Sequence, residues 1–155
     1  MMHSITTKNG EKTHMLTNQI FRPDQSSAVT CPYFLSSVEA GFPSPAEDYV
    51  EGRLDLNQHL IKHPAATFFV RVSGDSMINA GIYPGDILIV DRSLEAADKK
   101  IVIAVIDGEL TVKRLRYRKN HIFLEPENDL YLPIAITQEM SFDIWGVVTN
   151  VIHKV

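Results

Sequence analysis

The sequence predicts a mostly-β protein, a curled sheet or partial barrel with short helices, preceded by an extended N-terminal arm. Three observations predict it. β-Branched and aromatic residues gather into six short runs over residues 67–153, with turn residues between them. Asp107-Gly108 stands between two of those runs and is a strong signal for a two-residue hairpin. Finally, 12 of the first 30 residues are Ser, Thr, Asn or Gln, and the apolar ones follow neither helical nor strand spacing. Such a stretch buries too little to offset the entropy of ordering it.

In chain order, residues 1–40 read as an arm that is mobile or docks on something. The more apolar part, Tyr33 to Ala40 with Phe34, Leu35 and Val38, is the part expected to dock. Residues 41–155 read as the compact body. Ser44-Pro45-Ala46-Glu47 fits a capping box with proline at the first helical position, so a short helix is expected there. A second short helix is expected over 55–62. Strands are expected at 67–72, 86–90, 101–107, 109–117, 121–125 and 142–153. Gly81, Pro84-Gly85, and Pro126 with Asn128 mark turns. The apolar end, Asp143-Ile144-Trp145-Gly146-Val147-Val148, reads as core filling rather than as an interface.

With 155 residues, 45% of them hydrophobic, the chain has material for one real core. Its 15 Lys+Arg against 19 Asp+Glu give a net charge of -4, which argues against holding duplex nucleic acid by counterion release. The single cysteine, Cys31, has no partner in the chain for a disulfide, which suits a reducing compartment. The longest apolar run spans residues 101–106, far short of the ~20 residues that cross a bilayer. No signal-peptide pattern opens the chain, so a soluble cytoplasmic protein is expected.

Two features carry chemistry. Val72-Ser73-Gly74-Asp75-Ser76-Met77 follows an expected strand. A serine in such a turn projects its hydroxyl into a space where backbone N–H groups also point, as an oxyanion hole requires. Gly-Asp-Ser is also a common turn. It opens a group of esterases too, but those need an Asp-x-x-His, and neither His121 nor His153 has aspartate three residues earlier. The second feature is Lys113. Alternation puts Arg114, Arg116 and Arg118 on one strand face and Thr111, Lys113, Leu115 and Tyr117 on the other. With the arginines outside, Lys113 falls on the apolar side. There it either snorkels to water from the sheet edge or is buried, with its charged form disfavoured. A neutral amine can take a proton from serine, and serine–lysine pairs are a known nucleophile-and-base arrangement.

Other patterns are weaker. His59 and His63 are four apart, a spacing that suits metal on a helix, but no third ligand accompanies them, so no metal is expected. The basic run Lys113, Arg114, Arg116, Arg118 and Lys119 suits phosphate or an acidic partner, although alternation on an outer face explains it equally well. A signal-peptidase-like motif would want proline where Asn79 stands.

Five segments agree in order with one family. They are Phe42-Pro43-Ser44-Pro45-Ala46-Glu47-Asp48-Tyr49-Val50, Asp55-Leu56-Asn57, the Ser76 segment, Gly85-Asp86-Ile87-Leu88-Ile89-Val90-Asp91, and the hairpin from Asp107 to Leu115. Over about residues 31–155 the chain resembles the UmuD/LexA-type self-cleaving serine–lysine peptidases, family S24. The resemblance implies Ser76 as nucleophile and Lys113 as general base. It also implies Ala40-Gly41 as the cleaved bond, with the body from Gly41 onward as the product. Backbone N–H groups of Asp75 and Ser76 become the oxyanion donors, and Thr111 a support for the amine. No cofactor is implied. The implied partners are a second copy of the chain, the RecA filament on single-stranded DNA, and a UmuC-type translesion polymerase. The arm has no helix-turn-helix pattern for reading an operator, which favours the UmuD type over the repressors. The alternative function is a non-catalytic polymerase-binding module with the same fold.

Overall fold

The computed structural model describes residues 2–6, 12–16, 20–24, 26, 28–34, 40–41 and 50–155. The chain divides into two compact units, one formed by Met1–Pro23 with His63–Val155 and the other by Asp24–Lys62. The expected helix at Ser44–Glu47 and residues 35–39 of the expected docking stretch lie outside the described residues. Among the described residues, no helix is long and apolar enough to cross a membrane.

Two strands open the larger unit, β1 (Met2–Thr6) and β2 (Lys12–Leu16), paired antiparallel from Met2 opposite Leu16 to Thr6 opposite Lys12. β3 (Ile20–Phe21) adds a further short strand. The polar composition of this region did not announce them: main-chain pairing needs no apolar alternation where the strands are short. In the smaller unit, β4 (Thr30–Phe34) pairs antiparallel with β5 (Val50–Asp55). Arg53 fastens the pair, its Nε 2.9 Å from the Thr30 hydroxyl and a terminal nitrogen 3.0 Å from the Thr30 carbonyl. α1 (Leu56–Leu60) follows, as expected. Asp55 caps it by accepting from the Asn57 N–H at 2.9 Å, which satisfies one of the donors a helix start leaves free.

The main sheet has eight strands. The remaining members are β6 (Thr67–Arg71), β7 (Ile87–Asp91), β8 (Ile101–Ile106), β9 (Glu109–Arg118), β10 (His121–Glu125), β11 (Ile134–Ala135) and β12 (Phe142–Ile152). Their order is β11-β10-β9-β8-β12-β7-β6-β3, every pairing is antiparallel, and the sheet does not close into a barrel. The mostly-β expectation and the six expected strands are therefore met, with ends shifted by a residue or two.

Local chemistry sets the turns. Asp107 and Gly108 have φ of 49° and 85°, the two left-handed residues of a tight hairpin between β8 and β9. Lys119 and Asn120, at 45° and 66°, make the same turn between β9 and β10. Gly146 answers a different need: a Cβ there would stand 2.6 Å from Val90 Cγ1, so β12 can lie this close to β7 only without a side chain.

β8 is buried on both faces, which is why it reads as an unbroken apolar run. Ile103 and Val105 join Val72, Met77, Leu88, Val90 and Trp145 in one cluster, while Val102 and Ala104 join Leu115, Leu124 and Val147 in another. Each fully buried aliphatic side chain contributes about 1.5–3 kcal/mol, so the strands that carry the site are fixed from both sides. Trp145 and Val147 lie in these clusters, as core filling requires.

Candidate active site

The turn after β6 is held at its base. The Val72 N–H donates to the Asp86 carbonyl and the Gly85 N–H to the Val72 carbonyl, each at 2.9 Å. Gly74, with φ of 82°, takes the left-handed conformation that lets the chain reverse there. Met77, 1% exposed, then plugs into the core, so Ser76 is pinned between a turn and an anchor.

Lys113 comes from the middle of β9, opposite Val102 of β8. It shares a strand face with the fully buried Leu115, as alternation predicted. Its Nζ lies 2.9 Å from Ser76 Oγ, 2.9 Å from Thr111 Oγ1 and 3.0 Å from the Val112 carbonyl oxygen. All three neighbours are uncharged oxygens, and none of the ion pairs among the described residues includes Lys113. Burial accordingly pushes its amine below the ordinary lysine value.

Ser76 and Lys113 open onto a cleft of about 560 Å³. Val70, Leu88 and Ile103 give it an apolar wall, and Gly74, Asp75 and Tyr131 line it beside the Ser76 turn. Among the described residues, no protein acceptor takes the backbone N–H of Asp75 or of Ser76. Their carbonyls are engaged: Asp75 O accepts from Asn128 Nδ2 at 2.9 Å, and Ser76 O accepts from the Glu127 N–H at 2.8 Å. A hydroxyl beside an amine whose charged form burial disfavours, with N–H donors that no described acceptor takes, can support acyl transfer.

Ala40 and Gly41 belong to the smaller unit, where both are exposed in a bend. Cys31 is a free, exposed thiol on β4. His63 binds Asp91 through its Nδ1 at 2.6 Å, so that ring nitrogen is already engaged. Among the described residues, no cluster of three potential metal ligands occurs.

The arginines of β9 lie on a partly exposed strand face, as alternation predicted, and there they meet carboxylates of this chain. Arg114 pairs with Glu127, Arg116 with Asp98 and Glu125, and Arg118 with Glu125. Each of these arginines is matched by a carboxylate of the same molecule, on a face that leaves their side chains 25–54% exposed. The sequence also hid the segment 127–131, which reaches the Ser76 turn through Glu127, Asn128 and Tyr131. The Tyr131 hydroxyl donates to Asp75 Oδ1, and that carboxylate raises the tyrosine's pKa. Pro126 and Asn128 signalled only a turn.

Comparison with known proteins agrees with the motif reading. The Peptidase S24-like family matches residues 32–149. Protein SamA of Salmonella typhimurium is 50% identical over 125 residues, covering 81% of this chain and 86% of that protein. Protein ImpA of Shigella flexneri is 48% identical over 132 residues, 85% of this chain and 90% of its own length. Protein MucA of Escherichia coli is 42% identical over 132 residues, 84% of this chain and 90% of its own.

Proposed function

The chain belongs to the Peptidase S24-like family, and on that premise we propose that it is a UmuD-type SOS mutagenesis protein that cuts itself between Ala40 and Gly41. The observation that carries this reading is the 2.9 Å approach of Lys113 Nζ to Ser76 Oγ on the wall of a cleft. The motif order and the identity to SamA, ImpA and MucA support it.

In the proposed reaction, neutral Lys113 takes the hydroxyl proton as Ser76 Oγ attacks the Ala40 carbonyl carbon. The N–H groups of Ser76 and Asp75 stabilise the oxyanion. The Ala40–Gly41 C–N bond then breaks, and the Lys113 ammonium returns the proton to the Gly41 nitrogen. An Ala40 ester remains on Ser76. Water, deprotonated by Lys113, releases it as a carboxylate and restores the serine. Thr111 holds the amine on line through the 2.9 Å contact. Because the substrate is tethered, or carried by the second copy of a homodimer, orientation supplies much of the rate.

Cleavage is regulated if the arm docks only in a minor state, since whatever binds that state raises the rate. The RecA filament on single-stranded DNA takes that role in this proposal. The product, residues 41–155, then partners a UmuC-type translesion polymerase in the cytoplasm.

The test is incubation at alkaline pH, or with RecA, ATP and single-stranded DNA, followed by mass spectrometry of any new N-terminus. A fragment beginning at Gly41, absent from Ser76→Ala, is the expected result. A different first residue overturns the cleavage site, and cutting in Ser76→Ala overturns the nucleophile.

A further inference from the structure

The segment that follows β10 is tied to the nucleophile turn by several bonds at once. Asn128 Nδ2 donates to the Asp75 carbonyl at 2.9 Å, and the Glu127 N–H donates to the Ser76 carbonyl at 2.8 Å. The Asn79 N–H returns a bond to the Glu127 carbonyl, also at 2.8 Å. Asn128 is only 7% exposed, and its own Oδ1 accepts from the Leu130 N–H at 3.0 Å. That contact fixes which end of the side-chain amide is oxygen and leaves the nitrogen to face Asp75.

The carbonyl of Asp75 and the N–H of Ser76 belong to one peptide group. The group is planar and trans, so the two point in opposite directions. Asp75 and Ser76 line the cleft, whereas Asn128 and Glu127 are not part of its lining. A bond that draws the Asp75 oxygen toward Asn128 therefore turns the Ser76 hydrogen the other way, toward the cleft. The Ile78 N–H also reaches the Asp75 oxygen, but at 3.4 Å. The nearer donor is the side chain of a residue 53 positions away in sequence.

We infer that Asn128 is a positioning residue for the oxyanion hole: by holding the Asp75 carbonyl, it aims the Ser76 N–H at the oxygen of the tetrahedral intermediate. This rests on the reading of Ser76 as nucleophile. Glu127 extends the device, since its carboxylate pairs with Arg114, the neighbour of Lys113 on β9. One short segment thus spans from the turn that carries the hydroxyl to the strand that carries the amine.

The test uses the full chain and Asn128→Asp, which keeps the acceptor for Leu130 but loses the donor to Asp75. Removing an oxyanion donor outright lowers rates by about 10²–10³, so misdirecting one is expected to lower the alkaline cleavage plateau at least tenfold. In Asn128→Ser, which brings no charge, the midpoint of the pH–rate profile stays in place, because it reports the lysine. Acetyl-Val-Glu-boroalanine, which places a boronate oxygen in the hole, loses potency against cleavage by a similar factor. The matching tripeptide carboxamide does not. Thr67→Val, which removes a buried hydrogen bond to the His63 carbonyl, is the control for general loosening and leaves both inhibitors unchanged. If Asn128→Asp does not fold, Asn128→Ser is the second variant, too short to reach Asp75. A folded Asn128 variant with the wild-type plateau and wild-type boronate potency overturns the inference. Cutting that survives Ser76→Ala overturns instead the function on which it rests.

Discussion

At the two ends of β7 a carboxylate is buried against a histidine, while in the cleft an amine is buried against a hydroxyl. Asp86 and Asp91 are each 4% exposed, and burial alone would raise both carboxyls. Donors outweigh it. The Tyr83 N–H and the His153 ring hold Asp86 below the ordinary aspartate value. At Asp91 the Ser93 hydroxyl and N–H and the His63 ring do the same. Lys113 meets burial with no carboxylate to oppose it, so its charged form is the one disfavoured. Burial acts in both regions, and the partners decide which protonation state survives. Charge is favoured at the two aspartates, where donors surround it, and disfavoured at Lys113, where only uncharged oxygens do.

The largest effect that tests this contrast is on cleavage. Lys113→Arg keeps a cation in the cleft that does not deprotonate in proteins. Self-cleavage is expected to fall by about 10³-fold or more, the scale on which loss of one member silences such a pair. In the unsubstituted chain the rate is expected to rise with pH as Lys113 loses its proton, with a midpoint below the ordinary lysine value. Cleavage-rate profiles of both chains check this. A flat wild-type profile, or an arginine variant that cuts normally, breaks the contrast.

Much of this contrast was written in the sequence. Alternation along β9 placed Lys113 beside Leu115, and the Gly-Asp-Ser turn drew attention to Ser76. Both inferences use only local periodicity and one motif. The pairing of β4 with β5 was hidden because Pro32 and Gly52 sit inside those strands, and both residues are poor strand formers. Asn128 was hidden for another reason. Its partner lies 53 residues away, and no local pattern encodes a contact that exists only once the sheet has curled. The partners of the arginines were hidden for the same cause, since Asp98, Glu125 and Glu127 come from other segments.

A middle-sized effect concerns the bracing end of the comparison. Asp91→Asn removes the charge that the His63 and Ser93 donors serve. The expected loss is about 1–3 kcal/mol at neutral pH, the usual range for a buried hydrogen-bonding group left poorly matched. The sign with pH follows from the depressed carboxyls. Because Asp86 and Asp91 titrate lower in the folded chain than in the unfolded one, their contribution is fully present above the unfolded aspartate value. It is lost as pH falls through the folded values. Urea unfolding across the acid range is expected to show a shallower fall for Asp91→Asn than for wild type. Equal stability of the two chains at pH 7 would mean that this carboxylate does not brace the sheet.

The smallest expected effect comes from the Lys113 end and has the opposite sign. In the folded chain Lys113 gives up its proton more readily than in the unfolded chain. Between those two values the unfolded state binds more protons, so stability rises with pH across that window. Below it, the folded chain carries the burden of a half-buried ammonium. Lys113→Met removes that burden and keeps the apolar stem, although Ser76 and Thr111 lose their contact with the amine. A gain of about 0.5–1 kcal/mol at pH 7, shrinking as pH rises, is expected, in line with the stability that functional sites forgo. Urea unfolding at pH 7 and pH 10 measures it. If the methionine variant is less stable than wild type at both, Lys113 is a structural side chain, and the two regions handle charge alike.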